Sequence, residues 1–225
     1  MKTKWILIAY AAIGLCAIYL AVIFPCYNYI VLPQAVGDIR VQYLRNYNGE
    51  VPAYLSELAH TSTEEEAFQE HNPAFQGKIT RIRNIRAIFN GKSDITCYLA
   101  IAKIQVENVY AGNLSTGDTV TVLLPLPIVR NIWVEHTEIV SHFRAGMRGI
   151  FLPEMLDDSS CWKKGNASLY LSDLAAYSLN GGYTGVFLET RDKLLFNRST
   201  YTSLSPDATL EEAGVYVSKM VEKYK

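Results

Sequence analysis

The sequence is short of the features that announce chemistry. Cysteine occurs four times in 225 residues, too few for a scaffold built on disulfides. Neither sign of charge dominates: 21 Lys and Arg stand against 22 Asp and Glu, for a net charge of −1, which argues against a dedicated nucleic-acid binder and against a strongly acidic surface. No serine lies in a Gly-x-Ser-x-Gly context and no His-Glu-x-x-His occurs, so neither a nucleophile motif nor a paired-imidazole zinc motif is written in the chain. Ser141 beside His142 is only a dipeptide, although a triad assembled from distant residues would leave no local trace. The stretch 111–118, Ala-Gly-Asn-Leu-Ser-Thr-Gly-Asp, lacks the lysine and the following helix that would turn backbone N–H groups onto a phosphate. Internal repeats and low-complexity runs are missing too, which leaves one folded unit with appendages as the expectation at this length.

One long hydrophobic run is present. Residues 5–24 are twenty consecutive uncharged residues, enough at about 1.5 Å per residue to cross a bilayer as a helix. Lys2 and Lys4 precede the run and the next charged residue is Asp38, so the positive-inside bias places the N-terminus in the cytoplasm and the rest of the chain in an extracytoplasmic position. Trp5, Tyr10, Tyr27 and Tyr29 stand where interfacial aromatics stand, although packing against the domain accounts for the later tyrosines as well. The alternative is secretion after signal-peptide cleavage. Against it, the run is long and its exit, Ala-Val-Ile-Phe-Pro-Cys, offers bulky residues where a peptidase needs small ones. Neither Cys16 nor Cys26 follows a lipobox. The expected plan is a signal-anchor at 1–27, a juxtamembrane segment with short helices at 28–72, a β-rich unit at 73–204 and a C-terminal helix at 205–225.

The β-rich unit centres on residues 77–124. Ala100, Ala102, Ile104 and Val106 alternate with Lys103, Gln105 and Glu107, and Val120, Val122 and Leu124 alternate with Thr119 and Thr121, the period of strands with one buried face. Pro125 and Pro127 stop the later one. The preceding strand is irregular, because Ile79, Ile82, Ile85 and Ile88 recur every third residue. A bulged, curved strand reconciles that spacing with the β-branched content and the Asn-Gly-Lys turn signal at 90–92. A short strand is expected within 137–143, a buried one at 149–152, and a hairpin turning at 191–193. Tyr54, Leu55 and Leu58 form a helical stripe, Ser62 with Glu65 or Thr63 with Glu66 supplies a capping box, and Thr209 with Glu212 caps an amphipathic C-terminal helix.

Gly77 to Ile82, the corner marked by Val106, Val109 and Gly112, the following Gly117, Asp118, Val120 and Val122, and the later Gly149 to Leu152 together carry a resemblance. The pattern resembles that of poorly characterised membrane-anchored or secreted proteins of Gram-positive bacteria with an OB-like β-barrel domain. It covers roughly residues 75–200, and its motifs are structural. What it implies is a mainly β fold: a small OB-like antiparallel β-barrel with flanking helices, here preceded by one N-terminal transmembrane helix. It implies no cofactor and no activity. Pro-Leu-Pro at 125–127 replaces an expected glycine pair, and the loop 130–142 departs from the pattern.

Three sets of residues are candidates for function. Lys78, Arg81, Arg83, Arg86 and Lys92 place five positive charges within fifteen residues, with no acid before Asp94. On a barrel such a strand is a binding surface for anions, or a solvated face that keeps a sheet edge from pairing. The extracytoplasmic placement excludes nucleic acid and favours an anionic envelope polymer, lipid headgroups or an acidic protein partner, beside the membrane itself. His136, His142 and Glu138, with Glu135, are candidate metal ligands, but their separations match no recognised ligand spacing. Cys97 and Cys161 are the only cysteine pair well inside the domain, and a disulfide between them or two buried thiols are both open. The combined expectation is a membrane-tethered binding domain without catalysis, the alternative being an envelope hydrolase or metal-dependent enzyme using His136, His142 and nearby acids.

Overall fold

The computed structural model describes residue 14 and residues 28–44, 63–69, 73–90, 95–129, 138–179 and 184–224. Among these residues no helix is long and apolar enough to cross a membrane. The expected transmembrane helix is corrected accordingly, and with it the membrane tether, the single-pass topology and the partners inferred from them. Apart from Gly14, the run 5–24 on which that expectation rests lies outside the described residues, as do the stripe at 54–58 and, apart from Asn90, the turn signal at 90–92.

A short strand, β1 (Ile39–Tyr43), precedes the two longest elements, β2 (Ala74–Phe89) and β3 (Ile95–Ala111). These two pair antiparallel over almost their whole length. Three register shifts interrupt the pairing: Thr80 on β2, and Glu107 and Tyr110 on β3, have no partner opposite. Each extra residue bends the ribbon and turns the following side chains to the other face. The third-residue spacing of the isoleucines is thereby explained. Ile79 and Ile82 both reach the interior of the curve because Thr80 is skipped, whereas Ile85 packs on the outside.

The remaining strands are β4 (Thr119–Leu124), β5 (Arg148–Phe151), β6 (Glu154–Met155), β7 (Cys161–Lys164), β8 (Ala167–Tyr170), β9 (Tyr177–Ser178), β10 (Val186–Glu189) and β11 (Leu194–Leu195). Nine strands form one sheet in the order β11-β10-β5-β2-β3-β4-β9-β6 with β1 attached to β2, and β7 pairs with β8 separately. The path has two ends, so the expected small OB-like antiparallel β-barrel, closed or partly closed, is corrected to an open half-barrel within a mainly β fold. Two features break the expectation. Pro153, between β5 and β6, has no N–H to give and divides what would be one strand. The β4–β9 pair is parallel. Tight coiling survives where β2 meets β5: Gly77 lies opposite Gly149, and a Cβ on Gly77 would sit 2.6 Å from the Gln105 carbonyl oxygen.

Three apolar clusters hold the molecule together. The concave side buries Phe75, Ile79, Ile104, Val122, Phe143 and Phe151. One end of the outer face is covered by the C-terminal helix (Leu210–Tyr224), whose Ala213, Tyr216, Val217 and Val221 pack with Phe187, Phe196 and the fully buried Tyr201. The expected capping box is formed, Glu212 N–H donating to Thr209 Oγ1 at 3.2 Å and Thr209 N–H to Glu212 Oε2 at 2.8 Å. A short helix (Glu64–Gln69) leans on it, with Glu64 Oε2 accepting from Tyr216 Oη at 2.6 Å and from Ser203 Oγ at 3.2 Å. The other end of the outer face is covered by residues 28–43 and by β8 with the turn after it, which bury Val41, Leu169, Leu171 and Leu174 against Ile85, Leu99 and Ile101. Where a short strand was expected within 137–143, the described part is a 3-10 turn, Val140–His142. The hairpin at 191–193 is formed by β10 and β11.

Candidate anion-binding strip

Between the two covers the outer face of the sheet carries exposed side chains, and the strand registers fix which stand there. One row crosses β5, β2, β3 and β4 as Arg148, Lys78, Gln105 and Thr119. The next row is Arg81, Lys103 and Thr121. At about 5 Å between strands the longer row spans about 14 Å. Lys78, Arg81, Lys103, Gln105, Thr119 and Arg148 are all exposed, and neither row contains an aromatic side chain.

The bulge at Thr80 creates this strip. Were Thr80 paired in the regular ladder, Arg81 and Arg83 would follow the opposite alternation from Lys78 and turn inward. With it, they share the outer face, and Thr80 Oγ1 donates to the Lys103 carbonyl oxygen at 3.1 Å, tying the bulge to β3. Arg81 and Lys103 become directly opposed like charges, an arrangement that costs a sheet stability. Among the described residues, neither these two nor Lys78 forms an ion pair.

The other basic residues are placed differently. The Arg83 guanidinium lies over the Tyr43 ring, 4.5 Å from its centroid, at the border of the strip. Arg86 belongs to the opposite face, beside Gln42, whose side-chain oxygen accepts from it. Lys92 lies outside the described residues. Two members of the strip were not singled out in the sequence. Lys103 was legible only as part of a wet strand face. Arg148 sits far along the chain and joins Lys78 only through the β2–β5 pairing. Arg148 Nε donates to Glu107 Oε2 at 2.9 Å and its Nη2 lies 2.8 Å from the same oxygen. That hydrogen bond raises the guanidinium pKa further, with Glu189 adding to it, so Arg148 is charged at any working pH.

The histidine set is not assembled as a ligand cluster among the described residues, where no three His, Cys, Asp or Glu side chains gather to hold a metal. His136 lies outside those residues. His142 Nδ1 meets the Glu138 backbone carbonyl at 2.6 Å, so Nδ1 carries the proton and donates it. Cys97 and Cys161 are free thiols. Cys97 and Trp162 each pack against the outer cluster, and alternation along β7 puts Cys161 on the face opposite Trp162. Burial raises the Cys97 pKa, with Lys164 pulling the other way.

No family model matches the chain, and no curated protein matches it. The resemblance to membrane-anchored or secreted Gram-positive proteins is corrected on that finding, and function rests on the strip itself.

Proposed function

We propose that this domain is a binding module that takes a linear, phosphate-bearing chain on the outer face of β5, β2, β3 and β4. The observation that carries the reading is the charge of Lys78, Arg81 and Lys103 on one exposed strip, without an ion-pair partner among the described residues and with two of them opposed across strands. A sheet that needed only solubility would alternate signs there, since opposite charges across strands stabilise and like charges do not. The covers at either end leave a band that suits a thin, extended ligand lying across the strands. With no aromatic platform in the rows, the recognition falls on the charged groups and not on stacked bases.

The test is titration of the full chain with inorganic polyphosphate at several salt concentrations. Replacing Lys78, Arg81 and Lys103 together by Gln should weaken binding at least about tenfold, roughly 1.4 kcal/mol. It should also flatten the salt dependence by about two log–log units, at ~0.7 per neutralised phosphate on a single chain. The same variant should be slightly more heat-stable, because a like-charge pair costs the sheet about 0.2–1 kcal/mol. Wild-type protein that ignores polyphosphate, or a triple variant that binds as well as wild type, would rule the reading out.

A further inference from the structure

We infer that Arg148 is a fourth cation of this strip and that Glu107 is a built-in competitor which the ligand must displace to reach it. The inference rests on the phosphate-binding reading above and adds to it a residue that is held masked. Arg148 stands directly opposite Lys78, so its guanidinium shares the exposed face and continues the row onto β5. Its charge is occupied by a carboxylate from two strands away. Glu107 on β3 reaches Arg148 on β5 because it is one of the skipped residues of the ribbon, with no partner opposite it on β2. A bulge frees a side chain from the regular pleat and re-aims it.

The contact is of a kind that an oxyanion can replace. Arg148 Nε and Nη2 both converge on a single oxygen, Glu107 Oε2, at 2.9 and 2.8 Å. The guanidinium fork matches two oxygens side by side, and that match is unused here. A phosphate group offers two such oxygens. The pair is also accessible, with 45% of the Arg148 side chain and 31% of the Glu107 side chain exposed, and ion pairs in that position are weak. When a phosphate takes the fork, the Glu107 carboxylate returns to water. The free protein is therefore less basic on this strip than its residue count implies, and the full charge appears only with a ligand able to outcompete Glu107.

Four proteins decide the matter: wild type, Glu107→Gln, Arg148→Gln and the double variant, each titrated with inorganic polyphosphate at fixed salt. Glu107→Gln should bind about fivefold more tightly, the size of one exposed pair released. Arg148→Gln should bind more weakly than wild type, and in its background the advantage of Glu107→Gln should shrink to at most about twofold. An advantage of the same size with or without Arg148 overturns the inference, because Glu107 would then act as a general negative charge. So does a Glu107→Gln variant that binds like wild type. Failure of the phosphate-binding reading shows separately, as a triple Lys78, Arg81 and Lys103 variant that binds unchanged, and a wild type that does not bind polyphosphate overturns both.

Discussion

Gly214 sits inside the C-terminal helix, where glycine is a poor choice, and its replacement by Ala makes a sharp test of how that helix is seated. In an exposed helix interior the change would stabilise by about 1 kcal/mol. Here a Cβ at 214 would lie 2.6 Å from Tyr110 Oη and 3.4 Å from Cζ. Tyr110 is one of the skipped residues of β3, and its hydroxyl donates to Gln76 Oε1 at 3.1 Å. The ring is rigid, so relief requires moving either the helix or the tyrosine. Overpacking of this kind costs about 1–3 kcal/mol, and breaking the Tyr110–Gln76 bond adds about 1 kcal/mol. The net expectation is a loss of about 1–3 kcal/mol after the helix gain is subtracted. In a chain of this size each 1 kcal/mol lowers the unfolding midpoint by about 2–4 °C. Thermal unfolding of Gly214→Ala, Tyr110→Phe and the double variant completes the cycle. Removing the hydroxyl should remove most of the penalty, so that Gly214→Ala becomes nearly neutral or favourable in the Tyr110→Phe background. A single Gly214→Ala variant more stable than wild type would refute the close seating of helix on sheet.

Two further outcomes follow from the same end of the molecule. Glu64→Ala removes the acceptor shared by Tyr216 Oη and Ser203 Oγ, which should cost about 1.5–3 kcal/mol as a charge-assisted bond and expose residues 63–69 to limited proteolysis; unchanged unfolding and cleavage would count against it. The Glu212 pKa is lowered, first by the Thr209 backbone N–H and then by its hydroxyl. A folded pKa below the unfolded one gives stability that is present above the unfolded value and lost as pH falls through the folded value. Wild type should therefore outlast Glu212→Gln in melts near neutral pH and converge with it on acidification, and a difference independent of pH would contradict this.

Much of the fold was legible where one element decides its own pattern. The β3 and β4 alternations, the capping box at Thr209 and the charged turn at 191–193 each depend on residues close in sequence, and each is present. The irregular isoleucine spacing also pointed to a bulge. Sequence did not locate it, since skipping Thr80 is settled by what stands opposite on β3. The OB-like barrel failed as an expectation because it depends on pairing between distant strands, which Pro153 interrupts, and because the parallel β4–β9 pair leaves no local period to read. The site was half visible. A run of cations along one strand reads directly, but its division into Lys78, Arg81 and Arg83 on one face and Arg86 on the other follows the bulge. The contributions of Lys103 and Arg148 follow the register.

Beyond the skipped residue at Thr80, the faces of β2 depend on an unbroken count of paired residues. Deletion of a paired residue beyond Thr80, such as Ile82, changes no charge, yet every side chain from there to the hairpin must either exchange inside for outside or slide against β3, whereas loss of Thr80 itself, which stands outside the ladder, keeps both faces. With Ile82 gone, Arg83 would enter the apolar curve while Ile85 left the outer cluster it packs in, so the loss of one paired residue would do more harm than the loss of several cations. An insertion elsewhere in β2 would bring Arg86 to the surface now held by Arg83. The polarity of the whole outer wall is thus set by counting, and a lineage of such domains would be expected to tolerate altered side chains on this ribbon far more readily than gaps.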